Sequence, residues 1–93
     1  FPERGCVLMR QFTYTMTAPD GLHARPAALL AETARGLACD VIISKDGRNA
    51  SARRLMALML LEVHQGDAVT VTVEGPGEDE AARTIEAFFH THF

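Results

Sequence analysis

Gly21-Leu22-His23-Ala24-Arg25-Pro26 gathers the residues of this chain best suited to chemistry. An imidazole titrates near neutrality, so much of it carries a free lone pair and can act as a nucleophile. Pro19-Asp20-Gly21 reads as a turn before His23, and Pro26 follows where the first turn of a helix tolerates a missing N–H. The histidine therefore stands where a turn becomes a helix. Unpaired N–H groups there, with roughly half a positive charge, attract anions. That field disfavours the imidazolium and favours a phosphoryl group carried on the ring. Arg25, two residues on, adds a charge-assisted hydrogen bond, while Ala24 and Pro26 set the backbone around it. A phosphorus–nitrogen bond to imidazole is easily passed on, which fits group transfer better than hydrolysis. On these residues alone, a purely structural histidine at a helix start remains open as the alternative.

No other cluster competes. His64, His90 and His92 show no metal-ligand spacing with one another or with Cys6 and Cys39, so no metal is expected. The two cysteines form no CxxC pair and read as reduced thiols. There is no glycine-rich phosphate loop, and no nucleotide or other cofactor is expected. Glu78-Asp79-Glu80 reads as the acidic first turn of a helix rather than a carboxylate pair. The chain has 93 residues with a formal net charge of −3, which disfavours a general nucleic-acid binder. With 47% hydrophobic and 23% charged residues it reads as one ordinary globular domain, and no apolar run reaches membrane length. Residues 1–8 carry no signal-peptide pattern. They are set apart as an N-terminal extension or cloning remnant, expected to be poorly ordered, before a domain at 9–93.

The elements that must position His23 follow from periodicity. In residues 11–18, Phe12, Tyr14 and Met16 alternate with threonines, the pattern of a half-buried strand. Ala27, Leu30, Ala31 and Ala34 fall on one face of a helix over 24–36, with Arg35 and Gly36 closing it. Residues 39–45 and 48–51 read as strands joined by Asp46-Gly47. A short, very apolar helix follows at 54–61, then a Val/Thr strand at 68–74, then a helix from Glu78 whose buried stripe is Ile85, Phe88 and Phe89. The order βαββαβα with alternating strands implies an α+β domain, a sheet covered on one face by helices. A ferredoxin-like fold or a related sandwich satisfies that pattern, and fold alone does not give function.

The stretch from Thr17 to Ala28 resembles the active-site loop of HPr, the histidine-containing phosphocarrier of the bacterial phosphoenolpyruvate:sugar phosphotransferase system. Asn49-Ala50-Ser51-Ala52-Arg53-Arg54-Leu55-Met56, Gln65-Gly66-Asp67, the Val/Thr strand and Glu78-Asp79-Glu80-Ala81 continue the likeness in order through about residues 11–90. The resemblance implies an open-faced β-sandwich, a four-stranded antiparallel sheet with three helices on one face. It implies a cytoplasmic carrier rather than a turnover enzyme. Enzyme I would donate a phosphoryl group to Nδ1 of His23, Arg25 would steady it, and an enzyme IIA domain would accept it.

The helix at 54–61 holds more apolar residues than one core face needs. Leu58 and Leu61 are expected in the core, whereas Leu55, Met56 and Met59, with Arg53 and Arg54, are expected to dock partners, as the corresponding helix does in the family. Met suits a surface that accepts several partners. A monomer is expected, because this face must stay open. The sequence departs from the family at two places. Arg54 stands where many HPr proteins carry a regulatory serine, and Leu60, Leu61 and Glu62 replace small residues late in the helix. The Leu/Met-rich helix and Gly75-Pro76 resemble the nitrogen-related branch somewhat more. Two other readings are a docking-type regulator, although such paralogues usually lose the histidine, and an HPr domain of a larger fused transferase.

Overall fold

Alternating valines decide which face of the sheet is covered. The structure is a computed structural model describing residues 9–93. The expectation for residues 1–8, and Cys6 with it, lies outside the described residues. The elements are β1 (Met9–Thr15), α1 (Ala24–Arg35), β2 (Asp40–Lys45), β3 (Arg48–Ser51), α2 (Leu55–Leu60), β4 (Ala68–Glu74) and α3 (Glu78–His92). The strands lie in the order β1-β4-β2-β3, and each neighbouring pair is antiparallel. This is the four-stranded sheet with three helices expected of an open-faced sandwich.

Register explains the two faces. Phe12 sits opposite Val71, Val71 opposite Ile43, and Ile43 opposite Ala50, so one apolar row crosses all four strands. Val69, Val71 and Val73 are buried with Val41 and Ile43. Thr70 and Thr72 point the other way, and Thr72 accepts a bond from the Gln11 amide of β1. The helices close the inner face. Ala27, Leu30, Ala31 and Ala34 of α1 are all buried, as their spacing requires. In α3, Ile85 and Phe89 are buried and Phe88 is half-buried, lying against the His92 ring and meeting Phe93 edge-on near the end of the helix. Phe89 meets Phe12 and Tyr14 edge-on at 6.1 and 5.1 Å, which joins α3 to the edge strand.

The first strand and the second helix differ most from the sequence reading. The first strand begins at Met9 and leaves its ladder after Thr15 rather than Ala18. Met16 then exchanges backbone bonds with the 66–67 turn, donating to Asp67 and accepting from Gly66, both at 2.8 Å. The second helix is trimmed to 55–60, because Leu61 and Glu62 donate to carbonyls three residues back and tighten its last turn.

Removing buried volume under the sheet is expected to be costly. Ile85→Ala should lose about 2–5 kcal/mol of stability, against no more than about 0.5 kcal/mol for the exposed Glu86→Ala, measured by urea unfolding.

Candidate functional site

His23 is placed by the residues before it. Gly21 has φ +63, and a β-carbon there would lie 2.2 Å from the Val63 carbonyl oxygen, so only glycine lets the two backbones approach. The Leu22 N–H donates to that same oxygen at 2.9 Å, and the Leu22 side chain is buried in the core. Its neighbour His23 then emerges as the N-cap of α1 with extended backbone. Pro26 and Ala27 are buried one turn on, so the helix start is seated while His23, Ala24 and Arg25 face solvent.

The imidazole does not cap the helix. Both the His23 N–H and its Nδ1 lie 3.1 Å from the Gly21 carbonyl. In the neutral ring this contact makes Nδ1 the donor and leaves the lone pair on Nε2. The ring is exposed, and turning about its side-chain bonds frees Nδ1. The first free N–H groups of α1, those of Ala24 and Arg25, donate to no carbonyl among the described residues. Arg25 forms no hydrogen bond or ion pair with any described residue, so its guanidinium is available to an anion at the ring. This arrangement offers a nucleophilic nitrogen, two backbone donors and one cation on a single exposed turn.

The loop that supports Gly21 is itself tied down. Asp67 accepts the His64 N–H at 2.8 Å and pairs with Lys45 at 3.0 Å. Those two bonds, the backbone donor foremost, hold the Asp67 carboxyl below the usual carboxylate range. Arg48 and Lys45 supply cations to the carbonyls of Leu60, Leu61 and Glu62 at the negative end of α2. Glu62 needs that support, because it stands at φ +54, where glycine is preferred.

The expected docking residues separate into three kinds. Met56 is 69% exposed, and Arg54 is exposed at the N-cap of α2. Leu55 and Met59 are half-buried, leaning on the core that Leu58 and Leu61 enter. Arg53 is occupied elsewhere: its guanidinium bonds the carbonyls of Ala34, Leu37 and Cys39 and pairs with Asp40 at 3.3 Å, tying the end of α1 to β2. A side chain so engaged is a brace, and the open cation beside the helix is Arg54. Leu60, 68% exposed, belongs with Met56 on the solvent side. The apolar surplus of α2 had signalled such a residue without saying which.

Among the described residues no group of His, Cys, Asp and Glu is arranged to hold a metal. Cys39 is buried, with its thiol donating to the Pro76 carbonyl, and burial pushes that thiol up.

A family model described as the PTS HPr component phosphorylation site matches residues 10–91. The chain belongs to the HPr family. Phosphocarrier protein HPr of Vibrio cholerae is 38% identical over 72 residues, covering 77% of this chain and 85% of that protein. The HPr-like protein Crh of Halalkalibacterium halodurans is 40% identical over 68 residues, covering 73% and 81%. A solved structure of phosphocarrier protein HPr from Bacillus anthracis superposes with a TM-score of 0.80 at 35% identity, covering 86% of this chain and 95% of that one. The fold is thus that of HPr proteins, a family of phosphocarriers.

Two outcomes test the support of the site. Gly21→Ala should cost about 1–3 kcal/mol and shift the Leu22 and His23 amide resonances, since its methyl must displace the Val63 backbone. The Asp67 carboxyl is a stronger acid folded than unfolded. Its ionised form therefore adds stability above the unfolded value of about 3.9, and this is lost as pH falls through the lower folded value. Acid titration by NMR should show the His64 amide changing only below the ordinary carboxylate range, and Asp67→Asn should remove that transition.

Proposed function

We propose that this chain accepts a phosphoryl group from a phosphoenolpyruvate-charged Enzyme I on Nδ1 of His23 and passes it to an enzyme IIA domain. The single observation that carries this reading is His23 held exposed at the start of α1 by the Gly21–Val63 contact, with the Ala24 and Arg25 N–H groups unpartnered beside it. Membership of a phosphocarrier family supports it.

The transfer is an in-line displacement in which positioning and charge do most of the work. The ring turns from the Gly21 carbonyl and its proton moves to Nε2, so the Nδ1 lone pair faces the donor. Nδ1 attacks phosphorus as the bond from phosphorus to the donor breaks, and the electron pair of that bond stays with the donor. Nδ1 suits the product better than Nε2 because it lies on the backbone side of the ring. A phosphoryl group there meets the helix-start N–H groups and Arg25. Pro26 contributes no donor and fixes the backbone. The same steps in reverse serve the acceptor, so the chain carries the group without net turnover.

Docking in this reading uses Met56, Leu60 and the exposed parts of Leu55 and Met59, with Arg54 at the rim; Arg53 serves it indirectly by bracing the end of α1. The chain works as a cytoplasmic monomer, with this face free for donor and acceptor in turn. No helix among the described residues is long and apolar enough to cross a membrane. Arg54 at the α2 N-cap has no hydroxyl, so phosphorylation at that position is not a control of this chain. A solved structure named as Crh, the Bacillus subtilis catabolite repression HPr, at 36% identity and a TM-score of 0.62, supports a second reading, a regulator.

Labelled phosphoenolpyruvate with purified Enzyme I of the sugar and nitrogen types separates these. The expected result is acid-labile, alkali-stable label on the protein and none on His23→Ala, with the faster donor identifying the branch. A folded protein that takes no label from either donor contradicts the carrier reading and leaves the regulator.

A further inference from the structure

Lys45 was not among the residues that the sequence marked for function, yet it sits behind the histidine loop. Its side chain is only 10% exposed at the end of β2. The ammonium donates to the carbonyls of Glu62 and Leu61 and pairs with Asp67 at 3.0 Å. One cation thus holds both ends of the segment from Glu62 to Asp67. Glu62 is the residue at φ +54, and its carbonyl is the nearer of the two bonded ones. At the far end Asp67 fixes the His64 N–H at 2.8 Å.

The backbone of the histidine loop is bonded to the backbone of this same segment at two places. Leu22 donates to Val63 at one end of the loop, and Met16 exchanges two backbone bonds with Gly66 and Asp67 at the other. Gly21 lies against Val63 and His64 with no space for a β-carbon. A shift of the 62–67 segment therefore carries the Gly21–Leu22 backbone with it, and His23 is the next residue. Arg48 makes a useful contrast. It also bonds the end of α2, at Leu61 (3.0 Å) and Leu60 (3.4 Å), but the structure gives it no bond to Glu62 or Asp67.

We infer that Lys45 is a positioning residue for His23, acting through Glu62 and Asp67 on the segment that supports the Gly21–Leu22 backbone. The inference rests on the carrier reading for its kinetic consequence but not for its structural one. In chemical terms, Lys45 supplies what glycine at position 62 would otherwise give. The bond to the Glu62 carbonyl holds a left-handed residue in place, and the bond to Asp67 keeps the turn closed.

The test uses Lys45→Met, which keeps most of the volume and removes the charge, with Arg48→Met as the control and Lys45→Met/Glu62→Gly as the rescue. Two readouts are taken well below each melting temperature: the His23 ring resonances of the unphosphorylated protein, and the initial rate of phosphoryl uptake from charged Enzyme I. Lys45→Met should move the ring resonances and slow uptake on the order of tenfold, because small misplacements of a reacting atom are costly. Arg48→Met should lower the melting temperature and leave the His23 ring resonances unchanged. Adding Glu62→Gly should recover most of the rate. If Lys45→Met does not fold, Asp67→Asn replaces it, since it breaks the ion pair while keeping an acceptor for the His64 N–H. Wild-type ring resonances and rate in folded Lys45→Met, the same ring shifts in Arg48→Met, or no recovery on adding Glu62→Gly would each overturn the inference. If the wild-type chain takes no phosphoryl group at all, the carrier reading fails separately, and the ring resonances alone decide the role of Lys45.

Discussion

The approach of the Gly21 backbone to the Val63 carbonyl is the constraint on which the chemistry of this molecule depends. A nucleophilic side chain that must reach two different partners has to be exposed, and exposed turns are ordinarily loose. Here the residue before the histidine is buried, the one before that is pressed against a neighbouring backbone, and the histidine itself is left in solvent. In the carrier reading, the order needed for transfer comes from Gly21 and Leu22, and the access comes from His23. Any side chain at position 21 would exchange one for the other.

The same division runs through α2. Leu58 and Leu61 enter the core, while Met56 and Leu60 stand about two-thirds exposed on the other side of a six-residue helix. So short a helix has little intrinsic stability, and a large apolar surface on it invites association. Its end is accordingly held by cations from β2 and β3 on three successive carbonyls. Anchoring from behind leaves the front free for docking. The absence of glycine at position 62 raises the demand on that anchoring, and a partly buried lysine meets it. The site and its support thus lie on different elements: α1 presents the histidine, whereas Lys45 of β2 and the 62–67 segment lie behind it.

Much of this was legible in the residues. Alternation in 68–74 and helical spacing in 24–36 gave those elements and their buried faces because period and burial are directly coupled. His23 stood out because a turn, a histidine, an arginine and a proline meet within six positions. What pattern could not show were contacts between residues far apart in the chain. Gly21 read as a turn residue, and its close approach to Val63 across 42 positions has no local signature. Arg53 read as a surface cation beside Arg54, yet four residues between the end of α1 and the start of β2 bond its guanidinium. Adjacent arginines in a loop point in different directions, and sequence does not say which faces inward. The first strand was extended to Ala18 because threonine alternation continues beyond the last ladder pair at Thr15. There the backbone stays bonded, but to a turn.

Phosphorus–nitrogen coupling in the isotopically labelled, phosphorylated protein tests the central claim most directly. The account predicts a single phosphoramidate whose phosphorus couples to Nδ1 of His23, with the Ala24 and Arg25 amide resonances displaced by the new anion. Coupling to Nε2, phosphorus on any other residue, or amides at the start of α1 that ignore the phosphoryl group would contradict it.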